Sequence, residues 1–281
     1  MVSVNKLVKP FLKWAGGKRQ LVPLILGNYL PKNYNYQTYY EPFLGGGAVL
    51  FALQPKKAVI NDSNTELINC YKVVKESVEE LIDSLKKHQN NENYYYEIRD
   101  WDRDNGFHKR TPIERASRII FLNKTCYNGL FRVNSQGQFN VPFGKYKNPN
   151  ILDVAVLKAV SKYLNENEIT ILNSDFQDAL KDAKKGDFIY IDPPYDPVSD
   201  TASFTGYDIQ GFNKDEQIRL KETFAALDKR GCKVLLSNAY TKFIVDLYND
   251  YKWSKVSAIR SINSNAQKRG KVDEILVRNY D

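Results

Sequence analysis

Phe188-Ile189-Tyr190-Ile191-Asp192-Pro193-Pro194-Tyr195 is four apolar residues followed by an acid, two prolines and an aromatic ring. A short unbroken apolar run reads as a strand buried on both faces, the habit of a central strand in a parallel sheet. The prolines carry no N–H and lock φ, so the strand must stop at Asp192 and the turn beyond it is stiff. What remains at the strand end is the Asp192 carboxylate and carbonyl oxygens, all acceptors. A corner built to accept suits a guest with two N–H bonds. If an exocyclic amine gives one hydrogen to Asp192 and the other to the Pro193 carbonyl, its lone pair is withdrawn from ring conjugation and aimed at an electrophile. Tyr195 offers a flat face on which a base can stack. The alternative is a structural turn ending in a core aromatic.

Working outward, strand-like runs recur at residues 38–43, 58–61, 169–173, 233–237 and 274–279. Helical patterning falls between them, at 19–29, 64–87, 113–124, 154–164, 214–229 and 241–249, with a shorter stretch at Ala48–Leu53. Asn64 can cap the second of these, and Lys86 and Lys87 suit its C-terminal dipole. Strands alternating with helices imply an α/β fold with a mostly parallel sheet. Residues 77–147 fit the alternation poorly, being polar and rich in Asn and Tyr, and are assigned as an insertion into a domain made of 1–76 and 148–281. Residues 89–93 read as a polar turn.

Of the 281 residues 42% are hydrophobic and 26% charged, which suits an ordinary folded core and excludes disorder. No apolar stretch is long enough to span a membrane, and lysines interrupt the first twenty residues, so no signal peptide is expected and the protein is read as cytoplasmic. Cys70, Cys126 and Cys232 are far apart and odd in number, against a disulfide framework or a Cys-x-x-Cys site. With only His88 and His108 present, neither a His-rich metal site nor a Ser-His-Asp triad has material to draw on, and no metal is expected. The chemistry must come from carboxylates, backbone and aromatics.

Glu41-Pro42-Phe43-Leu44-Gly45-Gly46-Gly47 lies between a strand and a helix, where glycines let backbone N–H groups approach a ligand at the sheet's carboxyl edge. The next strand ends at Asp62, where an acid can accept from a ribose hydroxyl or simply cap the following helix. The pattern is not G-x-G-x-x-G, which disfavours a dinucleotide. Near the N-terminus, Lys13-Trp14-Ala15-Gly16-Gly17-Lys18 is a basic turn whose amides and Lys18 could hold an anion while Trp14 walls a cofactor, or whose Trp14 could fill the core.

The net charge is +8, and between Lys109 and Lys147 eight basic residues face the single acid Glu114. A second cluster comprises Lys252, Lys255, Arg260, Lys268, Arg269 and Lys271. Segregated basic surface mixed with aromatics is the footprint of a phosphodiester-binding protein, the alternative being a merely solvated face. Residues 134–137 form a turn between 130–133 and 138–141, consistent with a β-hairpin narrow enough for a major groove, on which Arg132 could hold guanine O6 and N7 or a phosphate.

Taken in order, the Lys13–Lys18 run, the Glu41–Gly47 loop, Asp62 and the Asp192–Tyr195 tetrapeptide resemble the Dam family of DNA adenine-N6 methyltransferases over nearly the whole chain. Residues 127–132 and 139–147 resemble that family's target-recognition segment. The likeness implies a Rossmann-like core dependent on S-adenosylmethionine (AdoMet), with an inserted, largely helical DNA-recognition module carrying the hairpin. It implies transfer of a methyl group to the adenine amine of GATC in double-stranded DNA. By this likeness Trp14, Ala15, Lys18, Glu41, Phe43, Gly45, Gly47, Asp62, Asp175, Phe176 and Asp192 hold the cofactor, and Asp192, Pro193, Pro194 and Tyr195 are catalytic. Lys13, Tyr127, Asn128, Leu130, Arg132 and Pro142 meet DNA: Leu130 and Pro142 on base edges, Tyr127 and Asn128 in the stack where the adenine leaves, and Lys13 on a flanking base or phosphate. An Asp at 192 resembles the adenine enzymes, where a Ser would resemble the cytosine-N4 ones. A monomer is expected, and a companion restriction endonuclease is left open.

Overall fold

The apolar run that opens the acceptor sequence is a strand, β4 (Phe188–Ile191), with every residue buried. The computed structural model describes residues 4–14, 18–31, 36–197, 211–259 and 271–281. β4 is the middle of a seven-stranded sheet of order β3-β2-β1-β4-β5-β7-β6. The others are β1 (Tyr39–Glu41), β2 (Lys57–Asn61), β3 (Glu168–Leu172), β5 (Lys233–Ala239), β6 (Lys252–Ile259) and β7 (Lys271–Arg278). β1 to β5 pair in parallel, and β7 runs antiparallel between β5 and β6. The strand order reverses between β1 and β4, and a crevice at such a switch point is where a doubly wound sheet takes its ligand.

Alternation along β4 divides the core in two. Phe188 and Tyr190 join Tyr39, Ile60, Leu235 and Leu276 on one face, whereas Ile189 and Ile191 join Tyr40, Val234, Leu236 and Val277 on the other. The chain enters through a 3-10 turn (Lys18–Gln20), a short α1 (Val22–Leu24) and a π turn (Ile25–Tyr29), not the regular helix expected at 19–29. Pro23 and Gly27, both poor helix formers, lie inside that stretch. The first face is covered by α2 (Ala48–Leu53), α3 (Thr65–Glu76), α4 (Val78–Leu85), α5 (Glu92–Arg99), α6 (Pro112–Thr125) and α7 (Val154–Glu166), and the second by α8 (Phe176–Ala179), α9 (Lys214–Lys229) and α10 (Lys242–Leu247). No helix among the described residues is long and apolar enough to cross a membrane.

Two further expectations are corrected, and one strand was missed. The helix expected at 64–87 breaks at Ser77 (φ −143°, ψ 45°), so that α4 can turn its Leu81, Ile82 and Leu85 onto the core. Residues 89–93 are not merely a turn: the Asn91 side chain accepts the Tyr94 N–H at 2.8 Å and starts α5, which buries Tyr95 and Ile98. β6 was not legible because it is an edge strand whose Lys252, Trp253, Lys255 and Ser257 are exposed.

Between α5 and β3, α6 starts at a capping box in which Thr111 and Glu114 satisfy each other's backbone N–H groups, with Pro112 next to the cap. Residues 77–147 contribute Leu81, Tyr95, Phe131 and Phe139 to the same continuous cluster that holds Tyr39 and Phe188. The hairpin is a narrow antiparallel ribbon bridged at Val133–Phe139, its turn closed by Asn134 N–H to Gln138 O and Gly137 N–H to Asn134 O, both at 2.9 Å.

Candidate active site and nucleic-acid interface

At the carboxyl end of β4, Asp192 Oδ1 accepts from Lys18 Nζ at 2.8 Å and from Ser237 Oγ at 3.0 Å. The same Lys18 ammonium lies 4.4 Å from the centroid of the Tyr195 ring and 3.9 Å from Glu274 Oε2. The Tyr195 phenol donates to Glu274 Oε2 at 2.7 Å. Burial raises that phenol well above its ordinary pKa, and the Asp192 and Glu274 carboxylates raise it further. Pro193 is buried and Pro194 exposed. The Pro194 carbonyl accepts from Gln217 Nε2 at 2.9 Å, Gln217 Oε1 accepts from Asn238 Nδ2 at 2.9 Å, and Asn238 Oδ1 accepts the Asp196 N–H at 3.1 Å. Gln217 and Asn238 are fully buried, so these bonds fix the turn after Asp192 to α9 and β5.

Across the switch point, Glu41 ends β1, buried and accepting the Tyr39 O–H at 2.8 Å. Burial pushes its carboxyl up to about 8, with Asp192 and Asp62 adding to the rise, so the group is neutral at pH 7. Gly45 and Gly47 have φ of +50° and +66°, which explains their identity. A Cβ on Gly45 would meet Trp14 at 2.9 Å and one on Gly47 the Tyr71 hydroxyl at 2.8 Å. The glycines therefore admit protein side chains: Trp14 is laid on the loop and stacked on Phe131 with centroids 4.9 Å apart. Asp62 accepts the Gly45 and Asn64 N–H groups, each at 2.9 Å, and ties the loop to β2. Ala15 lies outside the described residues.

Beyond β3, Asp175 caps α8 through the Gln177 N–H at 2.9 Å and takes both terminal nitrogens of Arg219, at 3.0 and 2.7 Å. Phe176 is buried, with Phe43 5.3 Å and Phe212 6.1 Å away between centroids. These rings and carboxylates line the ends of adjacent strands.

The residues expected to meet DNA are brought together by Asn123, buried on α6. It accepts the Lys13 N–H at 2.8 Å and donates to the Lys13 carbonyl at 2.7 Å and the Gly129 carbonyl at 3.1 Å. Lys13, Tyr127, Arg132 and Pro142 are exposed, while Leu130 is half-buried against the core. Asn128 adopts φ +57°, and its N–H donates to the Tyr146 hydroxyl at 3.1 Å. Arg132 donates from Nε to Asn140 Oδ1 at 2.8 Å and from Nη2 to the Asn140 carbonyl at 3.2 Å, which holds the guanidinium along the ribbon.

The basic run is less exposed than its sequence implies. Arg118 is buried and paired with Asp102 at 2.7 Å, and Arg115 is paired with Glu66, because helical spacing turns both inward. Lys252 pairs with Asp281 and Lys255 with Asp273, while Arg260, Lys268 and Arg269 lie outside the described residues. Sequence reading missed Ser237, Glu274, Gln217 and Asn238. Ser237, Asn238 and Gln217 are polar residues in an otherwise apolar strand end or helix face, and that incongruity was the available signal, whereas Glu274 follows Asp273 at the polar start of β7 and gave none.

The sheet order, with the acceptor corner at its switch point, is that of a Rossmann-like doubly wound fold. Residues 14–262 match the model of the D12 class N6 adenine-specific DNA methyltransferase family. The chain is 47% identical to the Type II methyltransferase M1.LlaDCHI of Lactococcus lactis subsp. cremoris, covering 100% of this chain and 99% of the relative. It is 46% identical to the Type II methyltransferase M.MjaIII of Methanocaldococcus jannaschii, over 97% and 99% of the two chains. It is 35% identical to the DNA adenine methylase of Escherichia coli, over 95% and 94%. The chain belongs to the D12 class N6 adenine-specific DNA methyltransferases, and its methyl donor is AdoMet.

The residues present fit that donor. Its ribose hydroxyls, ammonium and adenine amine are all donors and its sulfonium is a cation, while the strand ends offer Glu41, Asp62, Asp175 and Asp192 as acceptors beside the rings of Phe43 and Phe176.

Proposed function

We propose that the protein methylates adenine N6 within GATC of duplex DNA, after rotating the base out of the helix, with residues 77–147 as the part that reads the sequence. The observation that carries this reading is the seat of the Lys18 ammonium. An N–H donor is already held there, 2.8 Å from Asp192 and 4.4 Å from the centroid of the Tyr195 ring, so the corner receives an N–H donor beside an aromatic ring.

In this mechanism Trp14, Glu41, Phe43, the Gly45–Gly47 loop, Asp62, Asp175 and Phe176 would hold AdoMet, which when bound would supply a methyl group already activated on a sulfonium. The work left to the chain is alignment, worth about 7 kcal/mol or more of barrier when reacting atoms are held in line. Asp192 and the Pro193 carbonyl accept hydrogen bonds from the two amine hydrogens and leave the nitrogen lone pair free, and the nitrogen gives up one of these protons once it carries the methyl group. Tyr195 stacks the extruded base, whose removal from the duplex costs a few kcal/mol. On the DNA side, Tyr127 and Asn128 fill the space the base leaves, Leu130 and Pro142 lie on base edges, and Lys13 holds a flanking phosphate or base. Arg132 pairs with one guanine, worth about 1–3 kcal/mol of discrimination.

The test is methyl incorporation from labelled AdoMet into three substrates: a GATC duplex, a duplex of permuted sequence, and duplex RNA. Label is expected in the GATC duplex alone. Arg132→Ala is expected to admit other bases at one guanine, whereas uniform weakening across sequences would make Arg132 a phosphate contact. Label confined to RNA contradicts the proposal.

A further inference from the structure

Glu274 belongs to neither the sequence motifs nor the mechanism above, yet it touches two members of the acceptor corner. It sits on β7, paired with Ala239 of β5 and Val256 of β6, and its side chain is 9% exposed. A carboxylate that deep is costly unless paired and hydrogen-bonded. Its Oε2 takes the Tyr195 phenol at 2.7 Å and faces Lys18 Nζ at 3.9 Å. Lys18 meanwhile covers both Asp192 and one face of the Tyr195 ring. An adenine entering this corner must displace the ammonium, and a buried ammonium without a counter-ion is strongly disfavoured. A shift of about 1 Å toward Glu274 would bring Lys18 to the distance it now keeps from Asp192.

We propose that Glu274 is a positioning residue of the methyl-acceptor site: it fixes the plane of the Tyr195 ring through the phenol and receives Lys18 when the adenine amine claims Asp192. The inference rests on the acceptor reading of Asp192. Exchange of one buried carboxylate for another keeps Lys18 beside a negative charge throughout base entry.

Single-turnover methyl transfer and steady-state kinetics on a GATC duplex test this, with thermal unfolding of each variant alongside. Tyr195→Phe removes one hydroxyl and keeps the ring, so it remains readable even if Glu274→Ala is unstable. Each of these two variants is expected to slow transfer on the order of tenfold through misplacement of the base. The double variant is expected to be no slower than Glu274→Ala alone, because that variant already lacks the contact that Tyr195→Phe removes. Glu274→Gln keeps an acceptor for the phenol but no charge, and is expected to restore kcat relative to Glu274→Ala while raising KM for DNA. Parental rates in Tyr195→Phe, multiplied losses in the double variant, or a Glu274→Gln enzyme no better than Glu274→Ala would each overturn the proposal. Asp192→Ala in the same assay separates the two levels: if it turns over, the acceptor reading falls; if it is dead while the Glu274 variants match the parent, only the positioning role falls.

Discussion

Glu41 carries a proton that an exposed glutamate would have lost. Burial raises its carboxyl to about 8, and in the unfolded chain it returns to about 4.5. The folded state therefore holds a proton that the unfolded state releases. The stability this contributes is complete below pH 4.5 and is lost progressively as pH rises to 8. Glu41→Gln mimics the neutral acid at every pH. In urea unfolding, its stability relative to the parent is expected to improve steadily from pH 5 to pH 8 and then level off; an offset unchanged across that range contradicts the assignment. At this scale the sequence announced Asp192, because an acid followed by two prolines ends a strand whatever surrounds it. It could not announce Ser237 and Lys18 as its partners, or Glu274 as the partner of Tyr195, since those contacts cross from three other chain segments and exist only once β4 lies beside β5 and β7 near it.

The hairpin that carries Arg132 is held from beneath by one acid. Asp102 pairs with the buried Arg118 at 2.7 Å, with Arg103 at 2.7 Å, and accepts the Phe139 N–H at 2.8 Å. Arg118 also donates to the Ile98 carbonyl at 2.9 Å, so α5, α6 and the ribbon meet at one ion pair. Asp102→Ala leaves a buried guanidinium without its counter-ion and is expected to cost about 3–5 kcal/mol in urea unfolding. A loss under ~1 kcal/mol, the range of an exposed pair, contradicts this account of the hairpin's anchor. The apolar strands and the long helices were legible because their periodicity is imposed by burial. α5 and β6 were not, since each buries few residues within a polar stretch and draws its order from neighbours.

For the molecule as a whole, the doubly wound order follows from strands and helices that alternate in sequence, and it brings β1 and β4 side by side with Glu41 and Asp192 at their ends. The net charge of +8 was legible, but its distribution was not: Arg115 and Arg118 serve the core, leaving Lys13, Arg132 and their neighbours as the exposed basic face. The central claim is that Asp192 and its prolines capture an adenine amine for methylation. The most direct measurement is the nucleoside content of duplex DNA incubated with AdoMet and either the parent protein or Asp192→Ala. The account predicts N6-methyladenine with the parent, none with the variant, and equal DNA retention by both. A methylated cytosine in place of adenine, or N6-methyladenine made by Asp192→Ala, would contradict it.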